Sequence, residues 1–133
     1  DTNGSNPAML KELVEEKLID YVAMDIKNSL DYYDVTIGIE NYDTTKVKES
    51  IDYLLENHVD YEFRTTLVYE VHSEENIKKI GQLLKGAKKY FLQKFEDRGG
   101  NIADGLTDIP KEQALKYVKI LKDSVQSIEL RGY

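Results

Sequence analysis

YEFRTTLV (Tyr61–Val68), followed closely by SEENIKKIGQLL (Ser73–Leu84), decides how this chain is read. The first stretch is short and dense in aromatic and β-branched residues, which suit a pleated surface. It also alternates, with Tyr61, Phe63, Thr65 and Leu67 set against Glu62, Arg64 and Thr66. The second stretch opens on Ser73 as a helix cap and carries Glu74 and Glu75 in its first turn, where acidic groups complement the helix dipole. Ile77, Ile80, Leu83 and Leu84 then form one helical stripe. A strand followed at once by an amphipathic helix is one βα unit.

The unit recurs on both sides. Upstream, Asn6-Pro7 reads as an N-cap followed by proline at the first helical position, with Leu10, Leu13, Val14 and then Lys17 on one face. A short apolar run, Ile19–Ile26, predicts a strand. Asn28–Asp43 has no clear period, holds Tyr32, Tyr33, Gly38 and Tyr42, and predicts a loop with some short helix. Thr44 or Thr45 caps the next helix, whose face is Val47, Ile51, Leu54 and Leu55. Downstream, Lys89–Phe95 predicts a strand, and Glu96–Ile109 a long loop containing Gly99, Gly100 and Gly105. Pro110 opens a last helix with Leu115, Val118, Leu121 and Val125 facing inward, and Ser127–Arg131 closes as a strand. A helix in every strand-to-strand connection predicts an α/β fold of parallel strands with right-handed crossovers. Thr2 falls where a preceding strand would end, so the sequence is expected to open partway through the pattern, as a fragment would.

With 133 residues the chain suits one domain, and 41 % apolar with 32 % charged residues is ordinary for a globular protein. A net charge of −7 repels phosphate backbones and argues against nucleic-acid binding. No apolar run is long enough to span a membrane, and Asp1–Pro7 is too polar for a signal peptide, so no membrane role and a cytoplasmic location are expected. There is no cysteine, which excludes disulfides, thiol catalysis, zinc–thiolate sites and iron–sulfur ligation by this chain itself. Of the two histidines, His58 falls in a helix-to-strand loop, at the amino edge of the strands, where a structural role is expected. His72 falls at the carboxyl edge, where a surface position is expected.

Parallel α/β sheets place ligands at the carboxyl ends of their strands. Polar residues gather at that edge here. The first strand ends in Asp25-Ile26-Lys27, which puts a carboxylate and an ammonium on one side. The second carries Arg64 and Thr66 on the face of Glu62, and an arginine in mid-strand is costly unless it is paired or faces a polar lumen. The third ends in Gln93-Lys94-Phe95-Glu96. Each has a plainer reading: Asp25 and Lys27 as a strand-end ion pair, Arg64 as a partner of Glu62 or Asp25, Gln93 and Glu96 as solvated loop residues. Convergence of three strands on one edge is what tells.

Taken in order, Asp1-Thr2-Asn3-Gly4, Tyr21-Val22-Ala23-Met24-Asp25-Ile26-Lys27, Phe63-Arg64-Thr65-Thr66 and Leu92-Gln93-Lys94-Phe95 resemble successive strand ends of the radical S-adenosylmethionine activating enzymes. The nearest in kind are the activators of anaerobic ribonucleoside-triphosphate reductase and of pyruvate formate-lyase. The resemblance covers nearly the whole chain and implies part of a partial (β/α)6 barrel, from the end of the third strand through the sixth. Such enzymes hold a [4Fe–4S] cluster on a Cys-x-x-x-Cys-x-x-Cys loop and receive the cofactor's amino group on a Gly-Gly-Glu motif; neither is in this sequence. The family reductively cleaves S-adenosylmethionine, and the 5′-deoxyadenosyl radical takes hydrogen from a glycine of a partner enzyme. Position by position, the resemblance implies that Asp1, Thr2 and Asn3 lie near the methionine carboxylate, with Asp1 and Asp25 beside a monovalent cation. Asp25 and Lys27 would contact the same end of the cofactor. Arg64 and Thr66 would lie near its ribose and adenine, with Gln93 and Glu96 on the same rim. Glu96 stands where some relatives have histidine, and Tyr69-Glu70 where Pro-Gly often follows the arginine strand. Without cysteine the chain alone is expected to be inactive.

Other classes leave their own marks. A non-catalytic module that binds S-adenosylmethionine or docks a partner would use the same edge. A truncated barrel would leave a free strand edge open to self-association. A phosphorelay receiver domain requires an acidic pair at the first strand and a lysine–proline at the last, and no lysine–proline occurs. A piece of a sugar- or phosphate-binding barrel would want a glycine-rich loop running into a helix, and Gly99-Gly100 has no helix start beside it.

Overall fold

A computed structural model describes residues 2, 4–37, 42–95 and 107–133. Four strands, β1 (Tyr21–Asp25), β2 (Asp60–Leu67), β3 (Tyr90–Lys94) and β4 (Ile128–Arg131), form one sheet in the order β1-β2-β3-β4. Every neighbouring pair is parallel. Between them run α1 (Pro7–Glu15), ahead of β1, then a single 3-10 turn (Leu30–Tyr32) leading into α2 (Tyr33–Ile37), α3 (Thr45–Leu55), α4 (Glu74–Leu83) and α5 (Lys111–Leu121). The expected alternation of helices and parallel strands is therefore present. Each predicted strand exists, shortened or shifted by one or two residues at its ends.

The alternation within each strand sorts the two faces. Val22 and Met24 in β1, Tyr61, Phe63, Thr65 and Leu67 in β2, and Tyr90 and Leu92 in β3 are buried. The apolar members of that set share one core with Val47, Ile51 and Leu54 of α3, Ile77 and Ile80 of α4, and Ala114, Tyr117 and Leu121 of α5. Helices on one face and strands in sequence order make a singly wound arc. A receiver domain, whose strand order is 2-1-3-4-5, is wound differently. Burying each large apolar side chain of this core contributes about 1.5–3 kcal/mol, so the shared helix-side face holds the sheet's shape.

Local chemistry explains most element ends. Asn6 caps α1 by accepting from the Met9 N–H at 3.1 Å, with Pro7 in the first turn. Ser73 and Asn76 close a reciprocal capping box on α4, with asparagine where glutamate or glutamine is usual. α1 ends at Glu15, two residues short of Lys17, which takes a left-handed φ of 59° and leaves the helical face expected of it. Thr44, at the N-cap of α3, makes no side-chain capping bond; Asp43 instead accepts from the N–H of Thr45, the first helical residue, at 3.0 Å. In α5, Leu115 is exposed and Tyr117 buried, contrary to the inward-facing Leu115 of the sequence reading. The stripe there is Ala114, Tyr117 and Leu121, one residue out of phase. Val118 is only partly buried, and Val125 reaches the core from beyond the helix end.

Thr2 pairs in parallel with Met24, donating to Ala23 O and accepting from Asp25 N, each at 2.9 Å. Gly4 follows at φ +76°, where a Cβ would collide with the Met24 methyl group. The left-handed φ, which side chains rarely adopt, is the physical reason for glycine in this position, and the close approach of Met24 adds to it.

Candidate functional site

The face of the sheet away from the helices carries the charge. Asp25 and Arg64 are register partners on β1 and β2, and Thr66 and Gln93 on β2 and β3. Arg64 Nη2 lies 3.3 Å from Asp25 Oδ1, and Lys27 Nζ lies 3.8 Å from Asp25 Oδ2. Thr66 Oγ1 faces Gln93 Oε1 at 3.5 Å. The sequence left Arg64 a choice of Glu62 or Asp25, and the pairing observed is with Asp25. Glu62 instead accepts from Arg131 Nη1 at 3.0 Å and from the Tyr21 hydroxyl at 2.9 Å.

A pocket of about 230 Å³ opens at this edge, lined by Asp25, Lys27, Thr36, Arg64, Thr66 and His72 among others. A larger surface groove of about 740 Å³ runs between the turn after β2 and α5, past Tyr69, Glu74, Gln113 and Lys116. It mixes signs of charge and does not gather the strand ends. The smaller pocket is the one where the ends of β1 and β2 deliver charged and polar groups, with Phe95 after β3 beside them.

The backbone beneath the pocket is held from all sides. Ile26 N–H donates to Arg64 O at 2.7 Å, and Ile26 O accepts from Thr65 Oγ1 at 2.7 Å. Lys27 N–H donates to the Tyr33 hydroxyl at 2.9 Å, and Lys27 O lies 2.8 Å from His72 Nε2. One residue on, Asn28 Nδ2 donates to Thr36 Oγ1 and Val71 O, and Asn76 Nδ2 donates to Ser29 Oγ. Asn28, Ser29, His72 and Asn76 are all buried. Buried polar groups with every bond made rigidify what they touch, and here they tie the turn after β1 to the turn after β2.

His72 was expected at the surface and is 4 % exposed. Its ring is buried because two backbone groups satisfy it, Val68 N–H at Nδ1 and Lys27 O at Nε2. Burial lowers its pKa, against the opposing pull of those two bonds. Burial likewise pushes Tyr33 up to about 12. His58 has the structural surroundings expected of it, its ring stacked on Tyr53 at 4.3 Å. Sequence reading missed Tyr33, Asn28, Ser29 and Asn76. Asn28-Ser29 at a strand end and the Ser73–Asn76 spacing were the signals that could have found part of the network.

Of the other residues singled out, Thr2 lies beside Asp25 in the ladder, its Oγ1 accepting from Gly4 N–H at 3.1 Å. Asp1, Asn3 and Glu96 lie outside the described residues. Among the described residues no group of three His, Asp or Glu side chains gathers to hold a metal ion, and no helix is long and apolar enough to cross a membrane.

The donor set fits S-adenosylmethionine: an ammonium and a guanidinium for its carboxylate and hydroxyls, and a carboxylate for its cationic groups, in a partly sheltered pocket. It does not fit an iron–sulfur cluster, since the chain has no thiolate to offer.

No family model matches the sequence. A curated protein of Methanocaldococcus jannaschii named as a glycyl-radical enzyme activating enzyme is 34 % identical over 136 aligned residues, which take in 98 % of this chain and 57 % of that protein. The chain thus spans little more than half of that relative's length. In fold it is similar to a domain of pyruvate-formate lyase-activating enzyme from Bacteroides vulgatus, with a TM-score of 0.70 at 18 % identity over 92 % of this chain and 74 % of that one. It is also similar to a radical SAM methyltransferase from Sphaerobacter thermophilus, with a TM-score of 0.77 at 15 % identity over 97 % of this chain and 39 % of that one. In sequence, then, the chain is similar to a curated glycyl-radical enzyme activating enzyme over little more than half of that protein's length, and in fold it is similar to domains of a pyruvate-formate lyase-activating enzyme and of a radical SAM methyltransferase.

Proposed function

We propose that this chain is the cofactor-cradling part of a glycyl-radical enzyme activase, with the cluster-bearing part of the barrel lying outside residues 1–133. The observation that carries the reading is the meeting of Asp25, Lys27 and Arg64 at one pocket on the carboxyl edge of parallel strands. In this reading Lys27 and Arg64 bind the carboxylate and ribose of S-adenosylmethionine, and Asp25 orients its cationic groups. Thr66 and Gln93 supply neutral hydrogen bonds along the rim. Asp1, Thr2, Asn3 and Glu96 belong to the same rim, with Asp1 and Asp25 sharing a monovalent cation. When bound and given one electron, the cofactor supplies the 5′-deoxyadenosyl group that removes hydrogen from a partner glycine. The partner is a glycyl radical enzyme of the anaerobic ribonucleotide reductase or formate-lyase type, in the cytoplasm. By itself the chain binds and positions; with no cluster ligand it does not turn over.

Titration calorimetry of the chain with S-adenosylmethionine tests the cradle, and saturable heat lost in Arg64→Gln is the expected result. No heat in the unaltered chain would sink the reading. Anaerobic iron–sulfide reconstitution should give no 5′-deoxyadenosine from this chain, and should give it from the full-length protein. Product from the chain alone would overturn the division of labour.

A further inference from the structure

We propose that His72 is the positioning residue for Lys27, acting through the backbone as a neutral ring with its proton on Nε2. The inference rests on the proposed cofactor pocket and assigns to His72, on the pocket wall, a role exerted through the backbone of Lys27.

The ring's state follows from its two neighbours. Val68 N–H can only donate, and it points at Nδ1 from 3.0 Å. Nδ1 must therefore be the bare nitrogen. Lys27 O can only accept, and it lies 2.8 Å from Nε2. Nε2 must therefore carry the proton. A ring protonated on both nitrogens would set one N–H against another at Val68, and burial already disfavours that charge.

The ring spans two turns. Val68 closes the end of β2, and its carbonyl also accepts from the Val71 and His72 N–H groups at 3.1 and 2.9 Å. The His72 carbonyl accepts from the Tyr117 hydroxyl of α5 at 3.3 Å, and Gln113 in turn donates to Tyr117. His72 is thus fixed on one side by the β2 turn and α5, and on the other it grips the carbonyl of Lys27. The Lys27 amide is held separately by Tyr33. With both of its backbone groups taken, Lys27 has its Cα–Cβ direction set before any ligand arrives. Its side chain is nearly half exposed and makes only a 3.8 Å contact with Asp25, too long to fix it. Preorganisation of the ammonium therefore comes from the backbone, and the His72 bond ties Lys27 to the turn after β2, one residue beyond the Ile26 bonds to Arg64 and Thr65.

Two substitutions separate the ring's two bonds. His72→Gln places an amide donor near the position of Nε2 and keeps the grip on Lys27. His72→Asn places an acceptor near the position of Nδ1 and keeps the Val68 bond instead. Both remove the ring, so both lower the melting temperature. Calorimetry with S-adenosylmethionine should show the Gln variant within about threefold of the unaltered chain and the Asn variant weaker by about tenfold, one hydrogen bond's worth. Two further measurements need no ligand. Imidazole nitrogen NMR should show the Nε2–H form, and amide exchange at Lys27 should quicken in His72→Asn and stay slow in His72→Gln. An Nδ1–H ring, or equal quickening in both variants, would overturn the proposal. If the unaltered chain gives no heat with S-adenosylmethionine, the cofactor reading fails, while the ring and exchange measurements still decide whether His72 positions Lys27.

Discussion

Two carboxylates, Asp25 and Glu62, sit on neighbouring strands on the same face of the sheet, and they are built to opposite ends. Glu62 is saturated: one carboxylate oxygen takes Tyr21 at 2.9 Å, the other takes Arg131 at 3.0 Å, and its side chain is only 10 % exposed. Arg131 also lies over the Phe91 ring, 3.5 Å from its centroid. Asp25 is unsaturated: its arginine is at 3.3 Å, its lysine at 3.8 Å, and its side chain is 39 % exposed. Charge-assisted bonds at full strength are shorter than that. A carboxylate buried with a strong partner on each oxygen is closed to a ligand. One with loose partners at a pocket mouth keeps that capacity. Charge on this face of the sheet therefore does not by itself set a site apart; it is the incomplete satisfaction of Asp25 on which the proposed pocket rests.

The largest expected difference is in stability. Glu62→Ala strips a buried carboxylate from two partners and should cost about 2–3 kcal/mol in urea unfolding, since Arg131 can partly turn to water while Tyr21 loses its acceptor. Asp25→Ala should cost under about 1 kcal/mol, as exposed pairs do. The ranking should invert for S-adenosylmethionine affinity, with Asp25→Ala the worse binder. An Asp25→Ala variant as unstable as Glu62→Ala would erase the distinction between the two groups.

Alkaline pH probes the closed group next. Burial first, then the hydrogen bond to Glu62, pushes Tyr21 up to about 12, and burial is the largest cause that pushes Tyr33 up to about 12 and Tyr90 higher still. A phenol whose folded value exceeds its unfolded value near 10 favours folding while it stays protonated. Its contribution is whole below that unfolded value and is lost as pH climbs through the folded one. Urea unfolding across about pH 9 to about pH 11.5 should show falling stability, with Tyr21→Phe and Tyr33→Phe each flattening the slope. A slope unchanged in Tyr21→Phe would mean that the Glu62 bond is not made in solution.

The contrast between the two groups also explains what the sequence could reveal. The alternation of Tyr61, Phe63, Thr65 and Leu67 against Glu62, Arg64 and Thr66 was visible because a period of two is a local property, and the structure keeps it. The meeting of Asp25 with Arg64 was one of two open pairings, and only the strand register, Asp25 opposite Arg64, decides it. The partner of Glu62 was not visible: Arg131 is 69 residues away, and finding it requires the register of both β2–β3 and β3–β4. His72 was misplaced for a related reason. A histidine near a helix start reads as exposed unless one knows that Val68 N–H and Lys27 O converge on its ring. Leu115 was misplaced because the buried stripe of α5 runs through Ala114 and Tyr117, one residue before Leu115 and Val118, and meets the expected pattern only at Leu121.

The smallest stability effect carries the sharpest test. Lys27→Met keeps the length of the side chain and removes only the ammonium. The bonds that fix residue 27 are its own N–H to Tyr33 and its own carbonyl to His72, and a methionine backbone makes both. The lost ion pair is long and half in water, so unfolding free energy should move by no more than about 0.5 kcal/mol. On the proposed function, affinity for S-adenosylmethionine should nonetheless fall by about tenfold or more, since that reading gives the ammonium to the ligand. A Lys27→Met chain that unfolds readily would show the open group to be as structural as the closed one. A chain that stays folded and binds undiminished would leave Arg64 as the cation that recognises the cofactor's carboxylate.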